Sequence, residues 1–157
     1  MNIYPSGSDS RPGGRGRPAG SFISLVRETA PLVHCITNFV TVNDCANIVL
    51  AAGGSPTMSR DPREVEEITS GCHALVLNMG TVSDPEAMLL AGRRAKMLGH
   101  PVILDPVGAG ASRLRRDTAA TLLREVRPDV IRGNASEIRY LYDGGGQQAG
   151  GIDAALS

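Results

Sequence analysis

Tryptophan is absent from this 157-residue chain, and only five aromatic side chains occur: Tyr4, Phe22, Phe39, Tyr140 and Tyr142. So few rings supply no platform on which nucleic-acid bases could stack. Lysine occurs once, as Lys96 inside a helix-like stretch, so the G-x-x-x-x-G-K-[ST] phosphate loop is missing. G-x-G-x-x-G between the first strand and helix, and the G-x-S-x-G nucleophile elbow, are missing as well. Neither sign of charge dominates: 16 basic and 16 acidic side chains cancel, which argues against binding by bulk attraction to phosphate. No apolar run reaches the ~18 residues that would span a membrane, and the polar N-terminus carries no secretory signal. The three cysteines, Cys35, Cys45 and Cys72, form no C-x-x-C pair, and His34 and His73 beside them lack metal-ligand spacing. They read as reduced thiols packed as small hydrophobes, which fits a cytoplasmic protein with no membrane or nucleic-acid partner.

What is abundant is unevenly spread. Five of the 19 glycines and three of the 10 prolines fall in residues 1–20, and five more glycines lie between Gly144 and Gly151. Residues 1–20 therefore read as a flexible Gly/Pro/Arg-rich extension, 21–143 as the folded domain and 144–157 as a Gly-rich tail. Arg11, Arg15 and Arg17 have no interleaved aromatics and read as a solvated arm.

Within the middle, short apolar runs alternate with helical periodicity. Extended runs are expected at Val33–Thr37, Pro56–Met58, Ala74–Gly80, Pro101–Asp105 and Asp129–Ile131. Ala74–Gly80 is apolar apart from Asn78, the pattern of a strand covered on both faces. Val42, Cys45, Ala46, Val49 and Leu50 share a helical face that stops at Gly53-Gly54. Asp61-Pro62 and Asp84-Pro85 each read as an N-cap followed by proline at the first helical position. A further helix should turn Leu114, Leu122, Leu123 and Val126 inward, and N-A-S-E at Asn134 resembles a capping box. This alternation predicts an α/β fold, a mostly parallel sheet with helices on both faces.

In such a sheet ligands sit beyond the carboxyl ends of the strands. Those ends deliver Thr37-Asn38, Met58, Asn78–Thr81, Asp105–Gly110 and Arg132–Asn134, with Glu137 one turn on. Asp105 and Glu137 could face one cleft and hold a hard cation through water and phosphate oxygens. Each has an ordinary alternative, Asp105 as an Asp-Pro turn and Glu137 as a capping residue, and the residues alone leave both open. Gly108-Ala109-Gly110 offers backbone amides to a phosphate, and Arg132 could pair with one.

Four stretches in order and spacing, PLVHCITNFVTVNDCANIVLAAGGSPTM, ALVLNMGT, ILDPVGAGAS and IRGNASEI, resemble the N-terminal half of hydroxyethylthiazole kinase, a ribokinase-like family of thiamine salvage. The resemblance runs from about Pro31 to Leu141. It implies ATP- and magnesium-dependent phosphorylation of 4-methyl-5-(2-hydroxyethyl)thiazole by a homotrimer with sites at subunit interfaces. It also implies substrate-binding roles for Met58 and Asn38, an ATP-binding role for Arg132, and magnesium-associated carboxylates at Asp105 and Glu137. The family's second half carries a glycine-rich anion-hole loop that has no counterpart here. The ribokinase-like domain is therefore expected to be incomplete on its C-terminal side, with no catalytic residue of its own. The isolated chain is then expected to be weakly active or inactive, acting with a complementing C-terminal half, or else serving as a non-catalytic binding or interaction module.

Overall fold

The computed structural model describes residues 19–82 and 85–143. The N-terminal arm before Ala19, the Gly-rich tail from residue 144 and the Asp84 cap lie outside the described residues. Five strands form one parallel sheet: β1 (Leu32–Ile36), β2 (Ser55–Thr57), β3 (Ala74–Asn78), β4 (Val102–Asp105) and β5 (Val130–Ile131), in the spatial order β2-β1-β3-β4-β5. Apart from β2, which is Ser-Pro-Thr, each follows from a short run rich in β-branched or aliphatic residues closed by a polar residue. The helices are α1 (Ala19–Thr29), α2 (Val42–Ala52), α3 (Val65–Ser70), α4 (Pro85–Met97), α5 (Arg113–Glu125) and α6 (Ala135–Tyr142).

One face of the sheet carries the core. Ile36, Leu75, Leu77, Val102 and Leu104 pack against Val65 of α3, Ala87, Met88, Ala91 and Ala95 of α4, Ala119 and Leu122 of α5, and Tyr140 of α6. Each fully buried leucine there contributes roughly 1.5–3 kcal/mol. Gly92 lets α4 approach α5, since a Cβ there would lie 2.5 Å from Val126 Cγ2. Gly53 ends α2 with φ of +101°, a left-handed cap that closes the turn into β2.

The opposite face is only partly covered. Helix α2 overlies β1 and β2, but none of its residues is fully buried, and Leu50 of the expected apolar face is 57% exposed. Over β3, β4 and β5 no described element lies on this side. Strand β3 alternates buried and half-buried residues, Ile103 of β4 reaches solvent, and Val130 of β5 is 52% exposed. The apolar run in β3 therefore does not mark a strand covered on both faces within the described residues.

Other differences have local causes. Helix α1 lies outside the elements expected from the sequence, and its Phe22, Ile23 and Leu25 are exposed. Helix α3 begins at Val65 rather than beside Pro62, because Asp61 closes a turn first: its Oδ1 accepts the Arg63 amide and its carbonyl accepts those of Glu64 and Val65. Leu114, expected inward, sits in the first turn of α5 and is 47% exposed, whereas Leu122 and Val126 are buried. Helix α6 follows its sequence signal closely, with Asn134 and Glu137 completing a reciprocal capping box.

Candidate functional site

The parallel register aligns Asn78 with Asp105 at the ends of β3 and β4. This alignment creates a continuous polar chain along the rim. Asn38 Nδ2 donates to Asn78 Oδ1 (3.3 Å), Asn78 Nδ2 donates to Asp105 Oδ2 (3.0 Å), and Arg132 Nη1 donates to the same Oδ2 (2.8 Å). Three of the five residues singled out from sequence are thus brought together, Asn38, Asp105 and Arg132. Asn78, noted at the end of the third strand but given no role of its own, is the bridge that joins them. Its Oδ1 also accepts the Gly80 amide (2.8 Å) and so sets the loop after β3. Asn38 is fixed in turn, because its Oδ1 accepts both the amide and the hydroxyl of Thr41 at the start of α2.

Asp105 keeps its second oxygen, Oδ1, without a hydrogen bond among the described residues, and its side chain is 13% exposed. Arg132 is 78% exposed, so its pair with Asp105 is screened and contributes at most about 1 kcal/mol. The guanidinium can leave it for a phosphate at little cost. These two residues line a cavity of about 450 Å³ with Thr41, Asp44, Val76 and Ile103, over the uncovered part of the sheet.

Glu137 is 9% exposed, and its two oxygens are each engaged by a backbone amide: Oε1 by Gly108 (3.0 Å), Oε2 by Asn134 (2.9 Å). It holds the loop after β4 against the start of α6. The glycine-rich segment Gly108–Gly110 departs from its expected use. The Gly108 amide goes to Glu137, that of Ala109 to the Pro106 carbonyl and that of Ala111 to the Gly108 carbonyl, so these three are not directed at a ligand. Helix α5 starts only at Arg113, capped by Ser112.

Two further groups shape the rim without any motif to announce them. Arg115, on α5, donates from Nη1 to the carbonyls of Met79 and Val107 (2.7 Å to the latter) and from Nη2 to that of Gly80 (2.7 Å). One guanidinium thereby ties the loops after β3 and β4 together. His34, fully buried in β1, reaches Ser59 on the other side of Met58: Nε2 meets the Ser59 carbonyl at 3.0 Å and Nδ1 meets Thr69 Oγ1 at 2.9 Å. A carbonyl only accepts, so Nε2 carries the proton and Nδ1 accepts from the threonine hydroxyl. Burial pushes His34 below the usual histidine range, against the opposing pull of the Ser59 carbonyl and the Glu64 carboxylate.

Met58 stands apart from the polar chain, in a second cavity of about 190 Å³ with Cys35, Ile36, Phe39, Val42 and Arg60. Thr37 borders both cavities. Cys35 and Cys72 are buried thiols, as expected, whereas Cys45 is only half-buried. Burial pushes Cys35 up to about 12, with Cys45 and Cys72 adding to the effect. Among the described residues no group of three or more His, Cys, Asp or Glu side chains could hold a metal, and no helix is long and apolar enough to cross a membrane.

The profile of the hydroxyethylthiazole kinase family matches residues 23–157, further at both ends than the four motifs reach and through the Gly-rich tail. The hydroxyethylthiazole kinase of Clostridium acetobutylicum is 60% identical over 134 residues, covering 84% of this chain and 49% of that protein. That of Desulfovibrio desulfuricans is 58% identical over 134 residues, covering 84% of this chain and 47% of the relative. The solved structure of the hydroxyethylthiazole kinase from Pyrococcus horikoshii superimposes with a TM-score of 0.75 at 42% identity, over 78% of this chain and 49% of that one. The chain spans about half the length of the curated relatives it matches. On the matched profile, the rim and the superposition, the chain belongs to the hydroxyethylthiazole kinase family.

Proposed function

We propose that this chain supplies the substrate and nucleotide rim of a hydroxyethylthiazole kinase, which transfers the γ-phosphoryl group of ATP to the hydroxyl of 4-methyl-5-(2-hydroxyethyl)thiazole in thiamine biosynthesis or salvage. The observation that carries the reading is the hydrogen-bonded chain Asn38–Asn78–Asp105–Arg132, which runs from the side of the Met58 cavity to the exposed guanidinium. Such a transfer depends on positioning and charge stabilisation rather than on a protein nucleophile. Met58 and Asn38 serve the thiazole end. Arg132 leaves Asp105 to meet the phosphates.

The donor set fits a hydrated cation better than a dry protein cage, since Asp105 keeps one oxygen without a partner while both oxygens of Glu137 are engaged by backbone amides. Asp105 would hold a magnesium ion through Oδ1, which would supply neutralising charge to the phosphates, and Glu137 supports the loop beside it. Glu137 therefore enters the proposal mainly as the residue that fixes Gly108. A cytoplasmic setting and a homotrimer, or a partner carrying the C-terminal half, complete the proposal. The uncovered face over β3 to β5 favours a second reading, a binding or interaction module without catalysis.

The test is ATP-dependent formation of the thiazole phosphate monoester, followed by mass spectrometry. The chain is assayed alone and mixed with a separately expressed C-terminal half from the Clostridium acetobutylicum relative. Product is expected in the mixture, with the chain alone as the reference arm. Arg132→Met or Asp105→Asn should cut the mixed activity by about 10²–10³-fold. No phosphate ester in either arm, together with retained binding of the thiazole, would leave the module reading standing.

A further inference from the structure

Both ends of the Asn78 amide meet groups that can bond in only one sense. The Gly80 backbone N–H donates to Oδ1 (2.8 Å), so that atom is the amide oxygen and Nδ2 faces the Asp105 carboxylate. Asn38 is oriented in the same way, since its Oδ1 accepts the Thr41 amide and its Nδ2 therefore turns to Asn78. Donation thus runs in one direction, from the start of α2 through two side-chain amides to Asp105 Oδ2, and each bond polarises the next. Gly80 packs directly on this pair: a Cβ there would lie 2.8 Å from Asn78 Oδ1 and 2.9 Å from Asn38 Cβ.

These bonds set the pose of Asp105. Its Oδ2 takes the bonds from Asn78 (3.0 Å) and Arg132 (2.8 Å), while Oδ1 has no partner among the described residues and is not buried. Asn78, Asp105 and Arg132 border the same 450 Å³ cavity. The two donors to Oδ2 differ in permanence. Arg132 is 78% exposed, and its long side chain can swing to a phosphate at little cost. Asn78 is half-buried and tied to both Gly80 and Asn38, so it stays. Once Arg132 leaves, Asn78 is the only side chain among the described residues that still holds Oδ2.

We propose that Asn78 is the positioning residue for Asp105: its Nδ2 keeps Oδ2 turned inward, so that Oδ1 is held ready for a hydrated divalent cation while Arg132 is engaged by phosphate. The inference rests on the kinase reading above and deepens it. A side chain that orients a metal-binding carboxylate in this way matters nearly as much as the carboxylate itself.

The probe is Mn²⁺, whose paramagnetism broadens the magnetic-resonance signals of nearby amides in the full chain. Broadening of the Gly80 and Arg132 backbone amides should be lost in Asp105→Ala, which places the ion at this carboxylate. In Asn78→Ala and Asn78→Ser the same broadening should need about tenfold more Mn²⁺. Serine separates the two parts that Asn78 plays. Its hydroxyl can accept from the Gly80 amide two residues on, but it is too short to reach Asp105, and it is the milder change if Asn78→Ala fails to fold. In the mixture with the C-terminal half of the Clostridium acetobutylicum relative, both variants should lower kcat by about tenfold and leave KM for the thiazole within about twofold. An Asn78→Ser chain that binds Mn²⁺ like the parent would overturn the proposal and leave Asn78 a residue of the loop. Broadening that survives Asp105→Ala, or none in the unaltered chain, would overturn it too. Mn²⁺ binding that follows Asn78, in a mixture that forms no thiazole phosphate, would uphold the positioning role and count against the kinase reading alone.

Discussion

At the scale of single residues, the rim depends on side chains that immobilise backbone. His34 is the clearest case, because it buries a neutral ring to hold the segment between Met58 and Arg60. Its folded-state value lies below the unfolded one, so the unfolded chain takes up the proton first as pH falls. The stability it contributes is complete above about pH 6.5 and is lost as pH drops toward the lowered value. Urea midpoints should therefore fall between pH 7.5 and 5.5, and His34→Gln should flatten that slope while lowering stability at neutral pH by about 1–3 kcal/mol. An unchanged slope in the variant would assign the acid sensitivity to other groups. The residues that fix the rim are also those least legible in the sequence. Asn78 and Asp105 are 27 positions apart, and Arg115 reaches the Gly80 carbonyl across 35. The register of β3 on β4 makes the first contact and the packing of α5 makes the second, and no periodicity encodes either at that range. Glu137, by contrast, was legible through N-A-S-E because a capping box is local, though its second bond to Gly108 was not.

At the scale of elements, strands and their closing residues were readable to within one or two positions, because apolar runs and turn residues act over short distances. Burial of helical faces was not, because it depends on what lies opposite: Leu50 and Leu114 obey helical spacing yet face solvent. Contact between α4 and α5 shows what sequence spacing omits. Gly92 sits in the middle of α4, where alanine would ordinarily stabilise a helix by up to ~1 kcal/mol. Here the added Cβ would lie 2.5 and 2.8 Å from the two methyl carbons of buried Val126. Overpacking against a stiff, β-branched neighbour costs about 1–3 kcal/mol, so the clash should win. Gly92→Ala should therefore lower the thermal midpoint, and combining it with Val126→Ala should recover part of that loss relative to additivity. A Gly92→Ala chain more stable than the parent would show that α4 and α5 separate without penalty.

For the whole molecule, asymmetry of the sheet governs behaviour. Among the described residues, one face is sealed by α3 to α6, while the other is covered by α2 only over β1 and β2. Ile48 of α2 (67% exposed) and Val130 of β5 (52%) flank the half-open strip formed by Val76 and Ile103. Sequence could place apolar strands but not show that this strip lacks a cover, since the pattern for a strand buried on both faces is the same whether or not the second layer is present. A strip of this kind, next to an edge strand, should bind a hydrophobic dye and promote association between chains, with no net charge to oppose it. Placing lysine at Ile48 and Val130 removes the exposed flanks and adds two charges without touching the sealed core. The double variant should lose about half of the dye fluorescence and sediment as a smaller species at high concentration, with its thermal midpoint within a few degrees of the parent. Unaltered dye binding in that variant would mean that the accessible apolar surface lies elsewhere, on α1 with its exposed Phe22 and Leu25, and not on the open face of the sheet.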